Sequence, residues 1–446
     1  MTQYLKLSRT TKAFTESLGI DFSEAERRLE CVCIAIVADE NSRTTIAGQA
    51  ALLTALATAR KTFKQVTLVT SKDIVLQLPL PGANTLCTAA QMLGVHVAAE
   101  ISSAITHTVI MDSSSSQAGF TVRCWWGRWC SGVLPQWDTR SLGENWNPLA
   151  GSYCGALAIR EIFANVLGRR NNPRESIISL WEPWQKEEDA DVGPTTVYLP
   201  RNMWIVGLGH LGQGFLWNLG MLPAHGEKLI LQDYQYAGIE NEATGLLTNS
   251  LSVGKYKTRV AADWIEKCGW KTELIERKFT DKTEVTVEDP PLVIAGLDNL
   301  APRLNILNAG FTYMIDSGVG HGPVDFESTQ IRVLAKGSTS NWNQSSEKKN
   351  IEKILATEPY KKIDTCGAFA LAEASVAVPF VGAAIGAISL TQAMRLTAMQ
   401  GTPSLIQMEL SAPDFTSTTD LSPAPKVNLG GVFLNLLTRE FDYLKQ

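Results

Sequence analysis

Asn202-Met-Trp-Ile-Val206-Gly207-Leu-Gly209-His-Leu-Gly212-Gln-Gly214 decides the reading of this chain. Residues 202–206 read as a short apolar strand. Gly207, Gly209 and Gly212 follow with G-x-G-x-x-G spacing, and a helix is expected through Leu219. Glycines at these places permit a tight turn and let a phosphate approach the backbone. The helix N-terminus adds free N–H groups and the positive end of its dipole. Alone, such spacing is a weak signal. The next strand, residues 228–232, ends in Asp233, about twenty residues past Gly212, where a carboxylate can accept hydrogen bonds from ribose hydroxyls. Together these features predict a Rossmann-type adenosine or dinucleotide site and leave NAD and ATP open.

The residues downstream separate the two. Asn241 lies in the loop after Asp233, and Val253-Gly-Lys255-Tyr-Lys257 opens a helix expected through Lys267. A later strand, residues 291–296, runs into Leu297-Asp298-Asn299, with Arg303 beyond it. The carboxyl ends of parallel strands face one ligand crevice. Asp233, Asp298 and the glycine turn are therefore expected around one cleft, with Lys257 in reach. A lysine neutralises phosphate oxygens and an aspartate holds Mg²⁺; hydride transfer needs neither. Taken singly, Lys255 and Lys257 would read as a solvated helix face, but charged groups converging on one cleft favour function.

From about Met203 to Leu396 this order of motifs resembles the ThiF/MoeB/ubiquitin-activating-enzyme superfamily. The resemblance implies that Gly207, Gly209, Gly212 and Asp233 hold ATP at the phosphates and ribose. Asn241 and Lys257 would bind phosphate, and Asp298 would coordinate Mg²⁺. The implied reaction is attack by the C-terminal carboxylate of a ubiquitin-like protein on the α-phosphate of ATP, giving an acyl-adenylate and pyrophosphate. Two positions depart from the family pattern. The second acid expected two residues after Asp233 is Gln235, and the arginine expected three residues after Asn241 is Thr244. A replacement arginine would have to come from the first half of the chain or from a second subunit; Arg9, Arg27 and Arg28 are candidates by charge.

Beyond a polar stretch, residues 337–350, comes Asp364-Thr-Cys366-Gly367. In ubiquitin-activating relatives a loop in this region carries the thiol that accepts the activated tail, and Cys366 matches that placement. The resemblance thus implies a thioester on Cys366 and transfer to a ubiquitin-conjugating-like enzyme, in a homodimer. It is nearest to the activating component of bacterial ubiquitin-like conjugation, an antiphage system. An adenylyltransferase without the thioester step and a catalytically inactive scaffold are the competing functions.

The first half alternates strands (residues 31–37, 65–70, 106–111, 120–126) with Ala-rich helices (44–62, 148–167), which implies an α/β fold with a mostly parallel sheet. None of its strands runs into a Gly-rich turn. It resembles the degenerate adenylation domain that activating enzymes pair with an active one. The expected organisation is two Rossmann-like domains, the first (1–175) degenerate, an acidic connection (176–200), and an active domain (201–446).

Bulk properties narrow the classes. A length of 446 residues suits two or three domains. A net charge of −5 with scattered Lys and Arg argues against a nucleic-acid partner. Eight cysteines without C-x-x-C pairs argue against a four-thiolate zinc site, and the N-terminal residues show no secretory pattern, so a cytoplasmic protein is expected. Cys31 and Cys33 read as buried strand thiols. Residues 374–394 are uncharged and long enough to span a bilayer, but Ser375, Pro379 and Gln392 interrupt them. A buried helix, and no membrane, is the expectation.

Overall fold

Short runs of apolar residues become the central strands of two sheets. In the computed structural model, which describes residues 9–111, 119–186, 193–222, 228–320, 322, 325–339, 342, 376–439 and 441–443, Met203–Val206 and Leu292–Ala295 are buried at every position. Strands buried on both faces read as continuous hydrophobic runs because helices cover both sides of the sheet.

The first half contains α1 (Arg9–Leu18), α2 (Phe22–Glu30), β1 (Cys33–Val37), α3 (Glu40–Thr44), α4 (Ile46–Thr62) and β2 (Gln65–Val69). A hairpin of β3 (Val75–Leu80) and β4 (Ala83–Thr85) follows, then α5 (Leu86–Met92), β5 (His96–Ala98) and β6 (His107–Ile110). β7 (Phe120–Gly127), β8 (Cys130–Pro135), α6 (Pro148–Val166) and β9 (Ser176–Ser179) complete it. The second half runs β10 (Thr196–Pro200), β11 (Met203–Val206), α7 (His210–Gly220), β12 (Lys228–Gln232), α8 (Lys257–Ile265) and β13 (Lys271–Ile275). Next come β14 (Leu292–Ala295), α9 (Leu300–Asn308), β15 (Tyr313–Val319), β16 (Ser328–Ala335) and α10 (Pro379–Thr397). β17 (Leu405–Glu409), β18 (Ser417–Thr418), β19 (Gly431–Asn435) and β20 (Phe441–Tyr443) are last.

The two main sheets share one topology. The first has the order β5-β2-β1-β6-β7-β8-β9, and the second β13-β12-β11-β14-β15-β16-β17-β18. In each, the first five strands are parallel and the next two antiparallel. The α/β expectation with parallel-rich sheets is met in both halves. The equivalent turns differ: β11 leads into glycines, whereas β1 leads into Ala38-Asp39 and the extra short helix α3, which Asp39 caps through the Ser42 amide.

Helices α4, α6, α7 and α10 form the layer between the halves. Each is almost wholly buried, as expected of helices that are apolar all round. Small residues let their backbones touch. A Cβ on Gly151 would overlap the Ala47 carbonyl, and one on Gly214 the Gly382 carbonyl. Across the halves Trp217 Nε1 donates to Thr54 Oγ1 at 3.0 Å, and Arg160 pairs with Glu327 at 2.6 Å, both buried. The uncharged segment ahead of Arg395 is α10, the one described helix long and apolar enough to cross a membrane, and it lies inside the protein.

Three local expectations change. Residues 176–200 are not merely a connection: β9 closes the first sheet, and β10 pairs with β19 in a small three-stranded sheet. Cys31 is exposed because it caps the C-terminus of α2, and β1 begins only at Cys33. Cys33 is half-buried, its Sγ donating to Gln65 Oε1 at 3.3 Å.

Candidate nucleotide cleft

The glycine turn is built by close contact between strand ends. Gly207 has φ +87°, a left-handed conformation costly to residues with a Cβ. A Cβ on Gly212 would overlap the Gly207 carbonyl, so α7 can start this close to β11 only with glycine there. Gly209 has nothing within 4 Å of its missing Cβ. It N-caps α7 without a side-chain hydrogen bond, so no side-chain cap occupies the first-turn amides.

Asp233, at the end of β12, braces this turn. One carboxylate oxygen accepts from the Leu208 amide at 2.8 Å, and the other from the Gln235 amide at 2.8 Å. Asn241 is buried in the 3-10 turn Ile239–Asn241, where its Oδ1 accepts from the Gly238 amide at 2.9 Å. Lys257 is the first residue of α8, and its buried Nζ donates to Gln235 Oε1 at 2.6 Å. Burial lowers the pKa of this ammonium, as does Arg9; Asp233, Glu240 and Asp298 oppose the shift.

Asp298 follows β14, is exposed, and accepts from Asn299 Nδ2 at 2.9 Å. Arg303 sits behind it and stiffens the wall: it pairs with buried Asp316 at 3.2 Å and donates to the Leu297 carbonyl. Burial raises the Asp316 carboxyl, with Arg303 and Trp342 working against the shift.

Gly207, Gly209, Asp233, Asn241, Lys257, Asp298 and Arg303 line one cleft of about 450 Å³, together with Arg9, His210, Thr244, Tyr234, Lys278 and Phe279. One wall is apolar, with Phe279 packed edge-on to Trp204. At its rim the Lys278 ammonium lies 4.6 Å from the centre of the Tyr234 ring. Elsewhere the lining is polar and mixed in charge, with Arg9 and Lys257 beside Asp233 and Asp298. Arg9, on α1, comes from the first half; its Nε is buried and has no hydrogen-bond partner among the described residues. Burial lowers its pKa, with Glu240 and Asp298 opposing. Arg27 and Arg28 instead bind Glu24 on the outside of α2. Of the three arginines raised by charge, only Arg9 lines the cleft.

His210 was not singled out by sequence reasoning. Its Nε2 is buried without a partner among the described residues, and burial, Arg9 and Lys257 push its imidazole down to about 3. A histidine inside G-x-G-x-x-G was the available signal. Cys366 lies outside the described residues. An apolar wall, the buried Lys257, Arg9 and the N-terminus of α7 thus meet in one cleft, a lining suited to an anionic ligand with an apolar part.

Comparison with known proteins follows the same division. Residues 33–180 match the BilD N-terminal domain and residues 199–400 the BilD C-terminal domain. The "Bacterial E1-like protein BilD" of Collimonas sp. (strain OK412) is 31% identical over 410 residues, covering 87% of this chain and 88% of the relative. The chain belongs to the BilD family. The N-terminal BilD match ends just past β9, so that strand goes with the first half in both sequence and topology. The C-terminal BilD match spans every residue of the cleft except Arg9.

Proposed function

We propose that this BilD-family chain is an E1-like enzyme that activates the C-terminal carboxylate of a ubiquitin-like protein with ATP. A carboxylate oxygen attacks the α-phosphorus, the bond to the bridging oxygen of pyrophosphate breaks, and acyl-adenylate and pyrophosphate result. The observation that carries this reading is the convergence of Arg9, Lys257 and Asp298 on a cleft that also holds the open side of Gly209. The donor set fits a polyphosphate: an Arg9 Nε without a partner among the described residues, a buried lysine side chain and the first-turn amides of α7. Asp233 would meet the ribose, and Phe279 would offer an apolar wall for the base. Asp298 is the residue that would hold Mg²⁺, which when bound neutralises phosphate charge.

Arg9 supplies from the first half the guanidinium that Thr244 lacks. The homodimer expected from the resemblance is therefore not required to complete the cleft. The shared strand order supports reading the first half as a degenerate adenylation domain in a Rossmann-like pair. The activated tail then passes to Cys366 as a thioester, with release of AMP, and onward to a conjugating enzyme.

The test is ATP–pyrophosphate exchange with the cognate ubiquitin-like protein. Exchange that requires the modifier and disappears in Lys257→Met or Asp298→Ala supports adenylation; exchange unchanged in both variants overturns this assignment. A DTT-sensitive adduct absent in Cys366→Ala supports the second step, and an undiminished adduct rules that thiol out. Adduct-free but complete activity of Cys366→Ala would mark an adenylyltransferase without a thioester.

A further inference from the structure

The first half reaches the cleft a second time, through a residue outside any motif. Helix α4 ends in Arg60-Lys61-Thr62. A lysine there would ordinarily lie beside the last carbonyls of its own helix. Lys61 Nζ instead crosses to the second half and donates to the carbonyls of Glu242 at 2.9 Å and Thr248 at 2.6 Å. Both belong to the loop of residues 241–248, which carries Asn241 and Thr244 into the cleft.

This loop is a chain of tight turns. Its internal bonds use the carbonyls of Asn241 and Gly245, with Thr244 and Gly245 amides on the first and the Thr248 amide on the second. The Lys61 ammonium spans the two carbonyls at either side of these turns. From Thr248 the path continues to buried Gln213 on α7. Gln213 Oε1 accepts from the Leu247 amide at 2.9 Å, and its Nε2 donates to Thr248 Oγ1 at 3.0 Å and to the Leu208 carbonyl at 3.1 Å. Leu208 is inside the glycine turn. A continuous hydrogen-bonded path thus joins the end of α4 to the turn expected to meet phosphate.

We propose that Lys61 is a positioning residue for the nucleotide cleft, through which the first half sets the loop of residues 241–248 against the glycine turn. The inference rests on the cleft binding ATP. It gives the half without a glycine turn a second role beside Arg9, as the clamp on a loop whose own turns fix only part of its shape. An ammonium holding two carbonyls is among the stronger neutral-acceptor contacts, because one partner is charged.

The experiment compares Lys61→Met, which keeps the aliphatic stem, and Lys61→Arg with the wild-type full chain. Binding is followed with a fluorescent ATP analogue, turnover by pyrophosphate exchange, and folding by thermal unfolding. The expected result for Lys61→Met is a Kd and KM for ATP raised about tenfold or more, with kcat changed less, and substantial recovery in Lys61→Arg. Wild-type Kd and KM in Lys61→Met overturn the proposal. Should Lys61→Met also lower Tm, a double-mutant cycle with Gln213→Met decides. Non-additive effects on nucleotide Kd support the path, and additive effects overturn it. Failure of the wild-type chain to bind ATP overturns the nucleotide reading itself, which separates the two outcomes.

Discussion

Lys257 Nζ and Gln235 Oε1 are joined by a 2.6 Å hydrogen bond at the base of the cleft. Gln235 occupies the position where the family resemblance implies a second acid. A neutral amide satisfies one N–H of the ammonium without cancelling its charge, so Lys257 stays a buried cation. Its lowered pKa reflects the cost of that burial. An arriving polyphosphate offsets this cost, and an apolar isostere removes it. Lys257→Met is therefore expected to weaken ATP binding by roughly a hundredfold or more while leaving Tm unchanged or raised. Titration with a fluorescent nucleotide and a thermal melt check both halves. A variant that binds ATP normally would remove Lys257 from the site.

Arg9 is expected to matter for turnover, and Arg27 and Arg28 are not. Arg9 lines the cleft, and its buried Nε has no hydrogen-bond partner among the described residues, whereas the other two are exposed and committed to Glu24. Removing one preorganised charge that meets developing phosphate charge lowers kcat by about 10²–10³. Exchange measured for Arg9→Met, Arg27→Met and Arg28→Met should thus show one large loss and two wild-type rates. A comparable loss in all three would point to a role in folding of α1 and α2.

Much of the cleft is legible in the sequence because its residues terminate strands. Asp233 ends the apolar run Leu229-Ile230-Leu231-Gln232, and Asp298 follows the apolar run of β14, so local pattern and spacing locate them. Arg9 is different. It reaches the cleft because α1 buries Ala13 and Phe14 in the first half, with Phe14 stacked edge-on to Phe163 of α6, a contact with no local signature. The repeated strand order was equally hidden. β8, Cys-Ser-Gly-Val-Leu-Pro, holds a glycine and a proline, and β9 has four residues; β8 is a strand because β7 offers it an edge, and β9 because β8 does. Cys31 misled because the apolar run continued two residues back from β1 into a helix cap.

The glycines of the turn divide into those needed for folding and one available for ligand. Gly209 has φ −73° and an empty Cβ position, so alanine fits the polypeptide. The loss of a good N-cap costs only about 1 kcal/mol. The added methyl would stand where a phosphate must approach the backbone. Gly212→Ala would instead drive a Cβ into the Gly207 carbonyl, an overlap of the kind that costs about 1–3 kcal/mol. Gly209→Ala is expected to melt near the wild-type Tm and fail to bind ATP, and Gly212→Ala to melt lower. Retained binding in Gly209→Ala would move the phosphates off this turn.

The last expectation concerns pH. His210 opens α7 with a buried Nε2 that has no partner among the described residues, and its folded pKa of about 3 lies far below the ordinary value near 6.5. The neutral ring is the folded form, while the unfolded chain takes up a proton as pH falls through about 6.5. Unfolded molecules then bind more protons than folded ones, so stability rises with pH in this window. The contribution of His210 is complete above about pH 6.5 and is lost toward pH 3, at about 1.4 kcal/mol per pH unit for one proton. His210→Asn has no such proton to exclude. Melting curves from pH 7.5 to 5 should show the wild-type protein losing stability more steeply than the variant, the other titrating groups being common to both. Parallel curves would mean that this imidazole is protonated or solvated in the folded chain.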